Sequence, residues 1–390
     1  STVLELDFAL DSSDIVDLTR ANPRFFGAFV EAIHIDRGMT ALQPNLGDRG
    51  ERVRVAVIGA GLSGLACASA LESRDFDVRV FDKGRAPGGR TSTRRAEIEG
   101  AEVGFDHGAQ YFTVRDPELA TLVASWEKLG VAQRWDGRIV AIGESGRFEP
   151  SGSQPRFVGT PAMSALSQHL ASNQDVRCGV TVARVVPGAR GAELFDIHGQ
   201  SLGAYDVVVC TAPPAQTASL LGEVAPELAA RAAAVRMKPC WAVMAAFDTP
   251  LAVPFDGAFI NLGPLSWIAR TSSKPNRLET PDRWVLHASA PWSTEHLEET
   301  AEAVTQPLLD ACFEALGVSA RGPVWARAHR WRYAIAENPL EVACLFDASN
   351  GIVACGDWTN GNRIEGALLS GLAGARQVRQ ARDTWESEKS

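Results

Sequence analysis

Val55-Ala56-Val57-Ile58-Gly59-Ala60-Gly61-Leu62-Ser63-Gly64 is an apolar β-type run that breaks into the spacing Gly-x-Gly-x-x-Gly. Leu65-Ala66-Cys67-Ala68-Ser69-Ala70-Leu71 follows, small and apolar as in a helix packed on a sheet. The order strand, tight turn, helix predicts a doubly wound α/β domain. Gly59 allows the turn, Gly61 lets a pyrophosphate approach the backbone, and Gly64 brings helix and strand together. The amides of Leu62 and Ser63, at the helix N-terminus, then face phosphate oxygens. A second strand, Val78-Arg79-Val80-Phe81, ends in Asp82, roughly 20 residues past the turn, where a carboxylate accepts from both ribose hydroxyls of an adenosine half and repels a 2′-phosphate. The expectation is a dinucleotide other than NADP. A fold that has kept this shape and lost its ligand is the bland alternative.

The 390 residues are 45% hydrophobic and 22% charged, enough for two domains with real cores. A net charge of -9 argues against a nucleic-acid face, though Arg90, Arg94 and Arg95 could still form a local patch around an anion. The seven cysteines include no Cys-x-x-Cys pair, and several lie in apolar runs, which favours reduced thiols and a cytoplasmic setting. No apolar stretch approaches membrane-spanning length, and no metal-spaced Cys/His cluster, nucleophile elbow or phosphate loop is found. Residues 1–50 read as an extension and linker, with Asp14 to Ala32 suited to a helix broken at Pro23.

Past Asp82, Lys83-Gly84-Arg85-Ala86-Pro87-Gly88-Gly89-Arg90-Thr91-Ser92-Thr93-Arg94 is dense in glycine, hydroxyl and arginine, as a backbone passing close to a cofactor would be, with Arg90 able to neutralise a diphosphate. Phe105-Asp106-His107-Gly108-Ala109-Gln110-Tyr111-Phe112 suits a loop beneath a flat ring. Near the end, the buried-strand run Ile352-Val353-Ala354-Cys355 leads through Gly356-Asp357-Trp358 to Arg363-Ile364-Glu365-Gly366-Ala367, which opens a helix whose positive end faces something anionic. Between these stretches, Thr160 to Ala171 suits a helix, Val180 to Val186 a strand, and Tyr205 to Cys210 a buried strand. Trp241 to Phe247, Ala258 to Leu262, Trp267 to Arg270 and Trp284 to Ala288 suit a largely antiparallel sheet, with Leu297 to Leu316 as a helix beside it.

Gly88-Gly89-Arg90, residues 106–112 and the closing run from Gly356 through Ser370-Gly371 resemble the renalase-type branch of the flavin amine oxidase superfamily, particularly its bacterial members. Residues 265–275, 284–297 and 328–334 are similar to the substrate domain of that branch. The resemblance covers roughly residues 53–380 and implies an FAD-binding Rossmann-type domain interleaved with a largely antiparallel-sheet substrate domain. It divides the chain into an FAD domain of residues 51–118, 158–235 and 340–385 and a substrate domain of residues 119–157 and 236–339. For FAD it implies contacts from Gly59, Gly61, Leu62, Ser63, Gly64, Asp82, Lys83, Gly89, Arg90, Gln110, Tyr111, Val182, Ala212, Trp331, Asp357, Arg363, Ile364, Glu365 and Ala367. Val182 and Ala212 would lie near the adenine, Asp357 near the ribityl–diphosphate portion, and Ile364 and Glu365 would meet the ring through backbone.

The activity implied is an oxidase that takes a hydride from 2- or 6-dihydro isomers of NAD(P) onto flavin N5 and passes the electrons to dioxygen, giving hydrogen peroxide. A dihydropyridine nitrogen drives hydride departure, so no acid or base is required. Tyr111, Trp267, Arg270 and His287 are candidate pocket walls, with Arg270 a partner for a carboxamide or phosphate; tryptophans in a core and a core histidine are the plain alternatives. His107 stands where bacterial relatives tend to have an apolar residue, and Leu368 where they often have tryptophan. Two other functions stay open at this point: a flavin oxidase or dehydrogenase of an amine or specialised metabolite, and a non-enzymatic binder that has kept the architecture.

Overall fold

The computed structural model describes residues 52–389 apart from 144–147, 151, 153, 189–190 and 261–262; the expected N-terminal extension and its helix lie outside the described residues. Val53–Ile58 is buried along almost its whole length and lies inside a six-stranded sheet, paired in parallel with Val207–Cys210 on one side and Phe76–Asp82 on the other. Ile352–Ala354 and Asp175–Cys178 extend this parallel set, and Leu345–Asp347 closes one edge antiparallel. Strands covered on both faces read as continuous apolar runs, which is why Val53–Ile58 and Val207–Cys210 do not alternate. The helices Leu62–Ala70 and Ile364–Lys389 pack together on one face. The other face meets the antiparallel strands Val182–Pro187, Ala192–Asp196 and Ser201–Tyr205 and the helices Pro214–Leu221 and Pro226–Ala233.

A seven-stranded sheet forms the second layer system, in the order Trp325–Ala336, Met237–Phe247, Asp282–Ala288, Leu265–Arg270, Gly257–Ile260, Ile139–Ile142, Phe148–Pro150. Its pairs are antiparallel except Gly257–Ile260 with Ile139–Ile142. One face is sealed by the helix Ala301–Leu316 through Val304, Leu308, Cys312 and Phe313. On the opposite face the hairpin Arg94–Ile98/Ala101–Phe105 packs Ile98, Val103 and Phe105 on Met244, Ala246 and Val285. The loop after that hairpin therefore runs between the two sheets.

Two expected helices start later than the periodicity suggests. Thr160 donates through its amide and hydroxyl to the carbonyls of Val131 and Gly130, which keeps it out of the helix Ser164–Ala171. The longer one begins at Ala301 because the Thr300 side chain accepts from the Ala303 amide at 3.2 Å and caps it. All seven cysteines are free thiols, and among the described residues no helix is long and apolar enough to cross a membrane.

Candidate active site

The carboxyl ends of Val53–Ile58, Phe76–Asp82, Val207–Cys210 and Ile352–Ala354 lie along one edge of the six-stranded sheet, the edge at which open α/β sheets bind ligands. A Cβ on Gly64 would stand 2.0 Å from the Gly59 carbonyl oxygen, so helix and turn touch through backbone. A Cβ on Gly61 would meet nothing within 4 Å, and no side chain caps the helix Leu62–Ala70 that starts there. Asp82 is anchored by the amides of Ala60 and Gly84, each 2.6 Å from one carboxylate oxygen, and each oxygen keeps a lone pair for a further donor.

The Gly-Gly-Arg loop crosses this opening, its Gly88 amide donating to the Ala60 carbonyl at 2.8 Å. Arg90 forms a bidentate pair with Asp357 at 2.5 and 2.8 Å and also donates to the Ala334 carbonyl. Asp357 thus meets a ligand as half of an ion pair with Arg90 rather than as a free carboxylate. Glu365 is likewise committed through its side chain, accepting from the Arg115 and Asp116 amides at 2.6 and 2.8 Å. Lys83, Gly89 and Arg363 are exposed at the rim, and Val182 is buried at the start of its strand. The Ala212 carbonyl accepts from the Trp358 indole at 3.1 Å.

The loop 105–112 faces a row of side chains aligned by strand register. Phe259 is paired with Trp267, Trp267 with His287, His287 with Ala242, and Ala242 with His329, so the row crosses five hydrogen-bonded strands. Tyr111 lies against Trp267 with ring centres 5.5 Å apart, and His107 lies against His329 at 4.7 Å and Trp331 at 5.0 Å. The His107 carbonyl accepts from the Trp331 indole at 3.0 Å and lies 3.2 Å from His287 Nε2. Since a carbonyl only accepts, that His287 nitrogen carries a proton. Ala242 leaves a methyl-sized step between His287 and His329.

The three imidazoles are neutral. Burial, then the neighbouring His329, lowers His107 to about 3. Burial brings His287 to about 4, and burial together with Arg94 and Arg327 does the same for His329. The buried His107 Nδ1 has no hydrogen-bond partner in the protein. The row is therefore an uncharged aromatic wall, and among the described residues no cluster of His, Cys, Asp and Glu is arranged to hold a metal ion.

Beside the wall, Asp106 ties the loop to both sheets. It accepts from Thr93, the Met163 amide, Lys274 and Arg277 at 2.8, 3.0, 3.3 and 2.9 Å. Burial pushes its carboxyl up, but Lys274, Arg277 and the Met163 amide outweigh that and hold it well below the usual carboxylate range. Burial lowers Lys274 to about 8, and Asp106 acts against that fall. Lys274 also donates to Gln110 Oε1 at 3.3 Å, while Gln110 Nε2 donates to the carbonyls of Asp106 and Gly108. The Gln110 side chain is spent inside the loop, so it offers a cofactor backbone only.

Arg270 departs from expectation. The strand Leu265–Arg270 turns Trp267 and Ala269 toward the loop and Ile268 to the opposite face, and Arg270 follows Ile268. There it pairs with Asp282 at 3.1 Å, donates to the Leu251 carbonyl and lies over Trp284. It braces the seven-stranded sheet and does not line the wall. His329, Phe259 and Ala242 join the wall without having been singled out by sequence; the only signal was the alternation in Ala328-His329-Arg330-Trp331.

The open side of Gly61, the uncapped helix N-terminus, the anchored Asp82 and the Arg90–Asp357 pair fit a dinucleotide with an anionic centre and a ring reaching the wall. Residues 57–126 match the NAD(P)-binding Rossmann-like domain, and residues 139–379 match the flavin containing amine oxidoreductase family. Among curated relatives, protoporphyrinogen oxidase 2 of Arabidopsis thaliana is 37% identical over 81 residues, and a zeta-carotene-forming phytoene desaturase of Myxococcus xanthus is 47% identical over 47. These stretches span 21% and 12% of this chain and 15% and 9% of the relatives. Among solved structures, a provisionally assigned protoporphyrinogen oxidase from Exiguobacterium sp. 255-15 superposes with a TM-score of 0.66 at 13% identity over 85% of this chain and 99% of that one. A putrescine oxidase superposes with a TM-score of 0.63 at 16% identity over 85% and 100%. With the family match running through both sheets, the chain belongs to the flavin containing amine oxidoreductases and is an FAD-dependent oxidoreductase.

Proposed function

We propose that this enzyme is a renalase-like oxidase of dihydronicotinamides, taking a hydride from 2- or 6-dihydro-NAD(P) and delivering the electrons to dioxygen. The observation that carries this reading is the uncharged wall of Tyr111, Trp267, His287, His107, His329 and Trp331. FAD, when bound, accepts the hydride at N5 and releases two electrons that, with two protons, convert dioxygen to hydrogen peroxide. The donor loses a hydride and becomes the aromatic pyridinium, so no protein base has to remove a proton.

The residues of the wall have three tasks in this reading. Tyr111 and Trp267, packed on each other, offer one aromatic face to a flat ring, the neutral imidazoles avoid repelling the pyridinium product, and close packing keeps water from the transfer. An amine donor makes a different demand, because it arrives as an ammonium ion and must lose a proton before it can release hydride. Imidazoles lowered to about 3 and 4 are weak bases for that step. The same reading carries the division into an FAD domain of residues 51–118, 158–235 and 340–385 and a substrate domain of residues 119–157 and 236–339.

Anaerobic mixing of the FAD-loaded protein with 2- and 6-dihydro-NAD(P), ordinary NAD(P)H and amines including putrescine tests it. Rapid bleaching of the flavin absorbance is expected with the dihydro isomers. Bleaching by an amine alone would replace the reading with an amine oxidase.

A further inference from the structure

In a chain of net charge -9, most partly buried arginines near the site have a carboxylate partner: Arg90 has Asp357, Arg270 has Asp282, and Arg277 has Asp106. Arg94, half-buried, and Arg327, exposed, have none among the described residues, yet the fold brings them together. Arg94 is the strand partner of Phe105, and Phe105 stacks on Trp325 with ring centres 5.0 Å apart and planes 20° from parallel. Arg327 is one pleat further along the same face of the edge strand Trp325–Ala336, and His329, one pleat beyond that, meets His107. Two ring contacts, Phe105 on Trp325 and His107 on His329, therefore bracket Arg327 and hold it toward Arg94. Arg85, exposed in the loop after Asp82, is close enough for its charge to act on Arg94.

The cluster is repulsive within itself. Burial, then Arg327, then Arg85 pulls Arg94 below its usual range, and Arg94 and Arg327 help to lower His329. Arg95, the next residue on the other side of the same hairpin, has Glu102 at 3.7 Å. The cluster leads inward to His107, which is 5% exposed and whose Nδ1 has no partner. Converging guanidinia without counterions and a buried polar atom without a partner both call for a ligand that is anionic outside and polar inside.

We propose that Arg94, Arg327 and Arg85 form a substrate anion site at the open edge of the seven-stranded sheet, which receives the diphosphate of a dinucleotide donor whose nicotinamide lies against His107 and the wall. This deepens the dihydronicotinamide reading and rests on it for the identity of the donor. The site is separate from the one that holds the FAD diphosphate, for which the N-terminus of Leu62–Ala70 and Arg90 are available. Guanidinium pairing with a diphosphate is bidentate and charge-assisted, so losing both arginines is expected to weaken binding at least about tenfold.

The test uses FAD-loaded wild type, Arg94→Gln/Arg327→Gln, the single variant Arg327→Gln at its exposed position, and Arg95→Gln as control. ADP-ribose and inorganic pyrophosphate are titrated calorimetrically at two salt concentrations, and kcat/KM is compared between dihydro-NAD and phosphate-free dihydronicotinamide riboside. The expected result is salt-sensitive ADP-ribose binding in wild type and Arg95→Gln, weakened at least about tenfold in the double variant and less in the single one, with a matching collapse of the preference for the dinucleotide. Equal ADP-ribose binding by wild type and double variant would overturn the site, even if dihydro isomers still bleach the flavin. Loss of FAD from the double variant would overturn it by assigning the arginines to the cofactor, and binding of pyrophosphate without ADP-ribose would reduce it to a site for an inorganic ion only. Arginine-dependent ADP-ribose binding without bleaching by any dihydro isomer would uphold the site and overturn the donor chemistry instead.

Discussion

Gly61 and Gly64 separate what the cofactor requires from what the fold requires. A Cβ on Gly61 would project into open space, whereas one on Gly64 would strike the Gly59 carbonyl at 2.0 Å. Gly61→Ala is therefore expected to leave the thermal midpoint of the cofactor-free protein within about 2 °C of wild type while weakening FAD binding by tenfold or more. Gly64→Ala should lower that midpoint even without FAD. Flavin fluorescence titration and thermal unfolding of the apoprotein check both; equal effects of the two substitutions on the apoprotein would refute the distinction. The open side of Gly61 and the tight contact of Gly64 were legible in sequence because each is settled within one turn of backbone. The roles of Asp357 and Gln110 were not, since Arg90 and Lys274, which occupy their side chains, come from distant parts of the chain.

At the scale of elements, the loop 105–112 is held by charge as well as by the packing of Phe105, Tyr111 and Phe112. Asp106 takes hydrogen bonds from Thr93 ahead of the first hairpin strand, the Met163 amide ahead of the helix Ser164–Ala171, and Lys274 and Arg277 beyond Leu265–Arg270. Replacing it with asparagine leaves two buried cations without a counterion, at a cost of about 3–5 kcal/mol. Lys274→Met should cost less, because Arg277 still neutralises Asp106. Urea unfolding of both variants measures the difference, and a loss under about 1 kcal/mol for Asp106→Asn would mean that the network contributes little. The strands themselves were readable as apolar runs. Their pairing was not, so the row from Phe259 to His329 stayed hidden, and an irregularity between Leu265 and Trp267 helps determine which side chains face the loop. Arg270, expected at the wall from the resemblance of residues 265–275, is consequently on the opposite face.

For the whole molecule, the buried imidazoles set a direction of acid sensitivity. His107, His287 and His329 have folded pKa values lowered from about 6.5 toward 3–4, so between those limits the unfolded chain binds protons that the folded chain does not. The histidine contribution to stability is then complete above about pH 6.5 and falls as the pH drops toward 4, with a limiting slope of about 1.4 kcal/mol per pH unit for each fully buried histidine. Asp106, held low by Lys274 and Arg277, adds its own loss below the usual carboxylate range. Urea midpoints at pH 8, 6 and 5 should decline in that order, with His107→Leu showing a shallower decline; midpoints independent of pH would contradict neutral burial. The order of the six-stranded sheet has a different consequence, felt during synthesis. Val53–Ile58 takes Val207–Cys210 as its neighbour, and that strand takes Ile352–Ala354, while Arg90 waits for Asp357. A nascent chain stalled on the ribosome before these last residues emerge holds the glycine turn but lacks the counterion and helix that complete the FAD site, so cofactor capture reports that translation has passed them.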